Sequence, residues 1–436
     1  MLKKKFYMLA ALKNRHLIWL AGLFIVGCTS LFKLTEGPSQ QVRSRSPFEE
    51  TSFLCTRSTQ QSILGPQKNL NEDFSDFLKL SNSPQDFESK MILWALLNQN
   101  AHPFLAGPSS GVVIVLISGR DLQFLNFAPA NNVKDYPYYK MMQFLRSRNP
   151  KGPSLKSLGS LLEKNYRGGI KVSPFFQESL QDEARLINAS PELKKAFIRG
   201  DQVLSLNESI SAFPFSAMVQ HFESVMKVSK NLANIQPIPI TFAHQEDMDN
   251  GTIKCNVEIP NYTQEKYHIK KAPIQNLFFG IKEGQTLALA ITYFQSPLKT
   301  PYLDTPTLTG INQAEPPVFC VFESKNQASI VFSSHSRDPL QLLSQIITQV
   351  KINSHPQGVW EILDQAFYMY LDSPPRVIYS AKDALSKPPP LYAKLLEDYP
   401  SYYVEKLGEL IGVQFDPDGS VFFLKRPSHF AQDCHN

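Results

Sequence analysis

The sequence predicts an α+β chain: a helical N-terminal half with one hairpin, followed by a mainly antiparallel sheet and C-terminal helices. Three observations lead there. Between residues 138 and 232, helix starts and stops recur at short intervals, with Ser-Pro at two beginnings (Ser173-Pro174, Ser190-Pro191) and glycine at two ends (Gly168-Gly169, Gly200). Beyond Pro237 and Pro239 the chain changes to short runs rich in β-branched and aromatic residues, and two of the links, Glu283-Gly284 and Ser324-Lys325-Asn326, have the composition of hairpin turns. Helices and strands are segregated along the chain instead of alternating, which excludes a doubly wound parallel sheet.

The chain begins with five positive charges (Lys3, Lys4, Lys5, Lys13, Arg15) and an apolar run from Leu17 to Val26, ending at Gly27-Cys28. As a helix, that run covers about 15 Å at roughly 1.5 Å per residue, half of a hydrocarbon core of about 30 Å. A basic head, a short apolar stretch and small residues make a secretory signal over 1–27 rather than a transmembrane helix. Ile25-Val26-Gly27-Cys28 resembles the lipobox of bacterial lipoprotein precursors. That resemblance implies cleavage before Cys28, lipid chains on Cys28 and retention at a membrane, facing the periplasm or the exterior. The alternative is an uncleaved signal anchor from Leu17 to Phe32 with its amino terminus inside.

Residues 28–82 are rich in Ser, Thr, Gln and Pro and read as a flexible tether. A mostly helical domain with one hairpin is expected over 83–235. Ser83-Pro84-Gln85-Asp86 opens its first helix, with Ser83 as cap and Met91 to Leu97 as its apolar body. Val112 to Ser118 and Leu122 to Phe127 form the hairpin, turned by Gly119-Arg120-Asp121. Helices follow at 138–147, 155–164, 174–187, 191–199 and 214–232. The second domain, 236–436, should hold strands at 238–243, 252–259, 277–282, 286–294, 318–322 and 328–333. Helices then run over 339–350, capped by Asp338, over 359–371, and over 391–411 with a bend or split at Pro400. A final hairpin, 413–415 with 421–425, is turned by Asp416-Pro417-Asp418-Gly419.

The net charge of +5 belongs to the leader: 44 Lys and Arg less its five leave 39, equal to the 39 Asp and Glu. Nucleic-acid binding thereby loses its main physical support. Of the five cysteines, assigning Cys28 to lipid leaves Cys55, Cys255, Cys320 and Cys434. In an exported protein these can form Cys255–Cys320 between two predicted strands and Cys55–Cys434 between the tails, with buried thiols as the alternative. Four Asn-x-Ser/Thr sequons (Asn188, Asn207, Asn250, Asn261) are what chance supplies at this composition.

His244, Glu246, Asp247 and Asp249 form the densest group of metal-ligating or acid-base side chains, placed in a loop after a predicted strand. Alternating carboxylates can surround a hard cation, but glycine comes at the wrong place for a calcium loop and no His-Glu-x-x-His occurs. A solvated turn is the plainer account. Ser224-Val225-Met226-Lys227 has the Ser-x-x-Lys spacing of an activated serine but sits inside a helical run. Ser333 to Asp338 gathers serine, histidine and aspartate in sequence, where neighbours rarely face each other as a triad. Tyr136, Tyr138 and Tyr139, and Tyr399, Tyr402 and Tyr403, stand in two similar segments that offer either an aromatic surface for sugars or packing where helices begin. His221 and His268 stand alone.

Together these observations predict an exported, membrane-anchored envelope lipoprotein with a binding or structural role, whose partners are the membrane and an envelope protein or glycan. The rival is an envelope hydrolase or transferase acting on glycan or peptide, using His244, Glu246 and Asp247, or Ser224 and Lys227. A third reading is a membrane-anchored subunit of a multiprotein complex. No motif assigns a cofactor.

Overall fold

A computed structural model describes most of residues 56–426; the longer stretches outside the description are 129–135, 229–236, 260–276, 294–316, 353–362 and 381–389. The described residues all belong to one unit. The leader, Cys28, Cys55, His268 and Cys434 lie outside the described residues.

Val112 to Ile117 is an unbroken apolar run, the pattern of a strand covered on both faces. It forms β3 (Gly111–Ser118), which pairs antiparallel with β4 (Asp121–Phe127) as the hairpin composition predicts. Its other neighbour comes from far along the chain: β13 (Thr286–Tyr293) pairs with β3 from Thr286 opposite Ser118 to Tyr293 opposite Gly111. With β2 (Gln61–Leu64), β12 (Phe278–Glu283) and β9 (Ile238–Pro239) they make a six-stranded sheet ordered β2-β12-β13-β3-β4-β9. A second sheet has seven strands in the order β1-β20-β19-β15-β14-β11-β10. Its members are β1 (Thr56–Ser58), β10 (His244–Met248), β11 (Gly251–Cys255), β14 (Phe319–Ser324), β15 (Ala328–Ser334), β19 (Glu409–Phe415) and β20 (Val421–Arg426).

Side-chain alternation stacks these sheets between helices. Val115, Ile117, Leu287 and Leu289 meet Phe319, Val321, Ile330 and Val413 in a core between the two sheets. Val112, Ile114, Ala288 and Ala290 face the other way, into a helical layer. That layer contains α1 (Lys68–Leu78), α2 (Phe87–Ala101), α3 (Pro137–Arg148), α4 (Leu155–Asn165) and the helix Phe215–Val228. On the far side of the seven-stranded sheet, Cys320, Phe322 and Val331 pack with Leu343, Ile346 and Val350 of the helix Pro339–Ile352. The order of layers is helix, sheet, sheet, helix. Among the described residues no helix is long and apolar enough to cross a membrane.

Several expectations change. The tether prediction fails over 56–78, where β1, β2 and α1 belong to the fold. Trp94 of α2 explains the hold: fully buried, it stacks on Phe74 with ring centroids 4.6 Å apart and donates Nε1–H to the Leu64 carbonyl at 2.8 Å. The boundary expected near residue 236 does not separate two bodies, because β12 and β13 lie beside β2 and β3. The cap of α2 is Asp86, whose carboxylate accepts the Ser89 N–H at 2.8 Å; Ser83 instead donates to the Leu78 carbonyl and closes α1. Asp338 caps Pro339–Ile352 as expected, accepting from the Leu340 and Gln341 backbones.

The end of the predicted helix 359–371 is taken up by strand β16, Tyr368–Asp372, and of the predicted helix 391–411 only the start, in Pro390–Asp398, is helical among the described residues. Pro400 ends that helix, and Ser401–Val404 (β18) and β19 follow as strands, since alternating Tyr, Val and Leu suit a half-buried sheet. β16, β17 (Pro375–Ser380) and β18 make a three-stranded sheet, the β17–β18 pair being parallel. Gln341 and Gln345, one turn apart on Pro339–Ile352, dock this sheet. Gln345 accepts the Tyr368 N–H at 3.0 Å and donates to the Tyr368 carbonyl at 2.6 Å; Gln341 accepts the Tyr370 N–H at 2.8 Å and donates to its carbonyl at 2.9 Å.

His102, at the C-terminus of α2, is fully buried, and burial pushes its pKa from 6.5 down to about 3. Below about pH 6.5 the unfolded chain binds a proton that the fold refuses, so stability is complete above that pH and declines as pH falls toward 3. The decline is about 1.4 kcal/mol per pH unit, or about 2 kcal/mol by pH 5. Denaturant unfolding of the protein and of His102→Asn at neutral pH and at pH 5 measures it: the stability difference between them should change by about that amount. An unchanged difference refutes the linkage.

Candidate functional site

Three of the four histidine–acid residues, His244, Glu246 and Asp247, lie on a strand, not in the expected loop. β10 is the edge of the seven-stranded sheet, and directly opposed residues share a face. His244 opposes Cys255, and Cys255 opposes Cys320; Glu246 opposes Ile253, and Ile253 opposes Phe322. His244 and Glu246 therefore face the layer of Pro339–Ile352. There Lys351 reaches Glu246, Nζ to Oε2 at 2.5 Å, with both side chains more than a third exposed. His244 Nε2 stands 3.6 Å from the same carboxylate, past hydrogen-bond reach, and is a buried atom with no hydrogen-bond partner among the described residues.

Asp247 turns to the opposite face, beside Thr252 and Glu323, where Glu323 accepts from Lys254 Nζ at 2.6 Å and from Thr252 Oγ1 at 3.3 Å. Asp249 is in the turn before β11. Strand alternation thus separates the four side chains, and among the described residues no group of three His, Cys, Asp or Glu could hold a metal ion. Lys351, which takes up Glu246, is 105 positions away, and no local pattern announces it.

The tyrosine segments divide. Tyr138 and Tyr139 are fully buried, which removes them from any exposed aromatic surface; Tyr136 is half-buried, Tyr399 packs on Tyr370 with centroids 5.2 Å apart, and Tyr402 is 56% exposed. The Tyr403 side chain lies outside the description. Tyr138 donates to the Ala95 carbonyl at 2.8 Å. Tyr139 O–H lies 2.9 Å from His221 Nδ1, with Gln99 Nε2 at 3.5 Å from the same oxygen. Burial raises both phenol pKa values, so both remain neutral donors. If Gln99 donates to Tyr139, the phenol proton goes to Nδ1 and the imidazole carries its own proton on Nε2. This hydroxyl–imidazole pair was not anticipated from the sequence, since its members are 82 residues apart.

Ser224 is exposed and donates to the His221 carbonyl of its own helix at 2.8 Å, as a surface helix residue does; the Lys227 side chain is outside the description. Ser333 is buried on β15 and Asp338 is a helix cap, while His335 is not described. Cys255 and Cys320 are joined in a disulfide, as the sequence pairing expected.

This architecture is similar to solved structures at very low sequence identity. A cephalosporin acylase from Bacillus halodurans matches with a TM-score of 0.57 at 10% identity, covering 88% of this chain and 97% of that one. Two structures of LmbA2991 match with TM-scores of 0.59 and 0.56 at 11% and 10% identity, covering 87% and 86% of this chain and 98% of each of theirs. No family model matches the chain, and no curated protein matches it in sequence. The likeness is one of fold.

Proposed function

We propose that the chain is an envelope hydrolase or acyl transferase acting on amide bonds of a peptide-like substrate, exported by its leader and held at a membrane through lipid on Cys28. The observation that supports the enzymatic part is the shared layering of two sheets between helices, which spans 88% of this chain and 97% of a cephalosporin acylase. Correspondence over nearly the full length of an acylase favours an acyl amide over a glycan. The disulfide agrees with an oxidising compartment outside the cytosol.

Detergent-purified full-length protein should release amine from at least one member of a panel of acyl-p-nitroanilides, short peptides and an amide-bearing cephalosporin, in proportion to protein and time. No release above the blank from any of them, with the fold verified spectroscopically, overturns the enzymatic reading. Mass measurement of the membrane-extracted protein tests the anchor, because a product that retains Met1 is not a processed lipoprotein. A binding or structural role is the second reading, favoured by the separation of His244 and Glu246 from Asp247 on opposite faces of β10.

A further inference from the structure

A cavity of about 420 Å³ opens in the helical layer where α4 ends, against the two-stranded ribbon of β5 (Ile170–Lys171) and β8 (Ser209–Ile210) and the start of Phe215–Val228. Its size falls within the roughly 300–1,000 Å³ of small-ligand pockets. Ile170, Ile210 and Phe215, all buried, give it an apolar floor, and the buried amide residue Asn100 adds a polar group at depth. Tyr166 stands beside Phe215 with ring centroids 6.3 Å apart, so two aromatic rings line one space. The walls are fixed by close backbone approach: Gly169 has φ +78°, and a Cβ there would come within 2.7 Å of the Ile210 carbonyl oxygen.

Around this floor stand three ionic side chains of both signs, Glu163, Lys164 and Arg167. Although Glu163 and Arg167 are four positions apart, no ion pair joins them or Lys164 to another described residue. The carbonyl end of α4 adds partial negative charge on the Glu163 side. A ligand with a single charge would use only part of this rim. One with an ammonium and a carboxylate could engage Glu163 and the basic pair together while placing an apolar group on the floor.

We propose that this cavity binds a small zwitterion with an aromatic or large apolar side chain, the chemistry of a free α-amino acid. It lies in the helical layer outside the six-stranded sheet, and it would be occupied whether or not the chain hydrolyses amides.

Calorimetric titration and thermal shift of the detergent-purified full-length protein test it with phenylalanine, phenylacetate, which lacks the amine, and phenethylamine, which lacks the carboxylate. Phenylalanine should bind at millimolar concentration or better and raise Tm, with each single-charge analogue weaker by about tenfold or more, the loss of one charged contact. Glu163→Gln, on α4, and Arg167→Ala, exposed in the turn that follows it, should each weaken phenylalanine by a similar factor while leaving the circular dichroism unchanged. Arg167→Ala should abolish the preference over phenethylamine, and Glu163→Gln the preference over phenylacetate. The site is overturned if phenylalanine does not bind folded protein at millimolar concentration, if both variants bind it as tightly as the parent, or if phenylacetate or phenethylamine binds equally well.

Discussion

Removing the Cys255–Cys320 bond should lower the unfolding free energy by about 4 kcal/mol. The bond closes a loop with a sequence separation of 65, and chain-entropy reasoning for a loop of that size yields about 4 kcal/mol at 25 °C from the restricted unfolded state. The paired substitution Cys255→Ala with Cys320→Ala measures it better than serine would. Both positions are fully buried among apolar residues, where a serine hydroxyl would add the cost of an unmatched polar group. Guanidinium unfolding should give the variant a lower midpoint, and the parent unfolded under reductant should fall on the variant's curve. Because both sulfurs are inaccessible, reductant added to folded protein should act only as fast as the protein opens. A stability difference below about 1 kcal/mol would contradict the chain-entropy account.

Local signals carried much of the sheet into view. Glu283-Gly284 joins β12 to β13, the apolar runs of β3 and β14 mark strands covered on both faces, and Asp338 caps its helix, each legible within a few residues. The pairing of β13 with β3 has no such signal, because its partners lie about 170 residues apart and are chosen by the common core. Residues 56–78 look like a linker for a related reason. Their polar composition hides a few anchors, Leu64, Phe74 and Phe77, whose burial depends on Trp94 and Tyr166. Sequence proximity also misled. His244, Glu246 and Asp247 are neighbours in the chain, but a strand sends alternate residues to opposite faces, whereas Tyr139 and His221 meet across 82 residues. Tyr138 and Tyr139 drop out of the aromatic surface because a tyrosine can bury its ring and still satisfy its hydroxyl, as Tyr138 does on the Ala95 carbonyl.

Replacing Gln345 should be among the most destabilising single changes in the C-terminal half. Its amide stands where a neighbouring strand would, matching both the N–H and the C=O of Tyr368, and Gln341 repeats the device at Tyr370. The buried hydroxyl of Tyr392 joins them, donating to Gln341 Oε1 at 3.0 Å and accepting from Gln345 Nε2 at 3.2 Å. Gln345→Met keeps length and apolar bulk but strands one donor and one acceptor of buried backbone, at about 1–3 kcal/mol each, for roughly 2–6 kcal/mol in all. Gln345→Glu tests the directionality. As a carboxylate it still accepts the Tyr368 N–H but faces the Tyr368 carbonyl without a proton to give, so at neutral pH it should be at least as damaging as methionine. Lowering the pH protonates the carboxyl and restores a donor, so stability relative to the methionine variant should recover toward pH 4. If methionine costs less than about 1 kcal/mol, or glutamate shows no recovery in acid, the side-chain ladder is not what holds the three-stranded sheet to Pro339–Ile352.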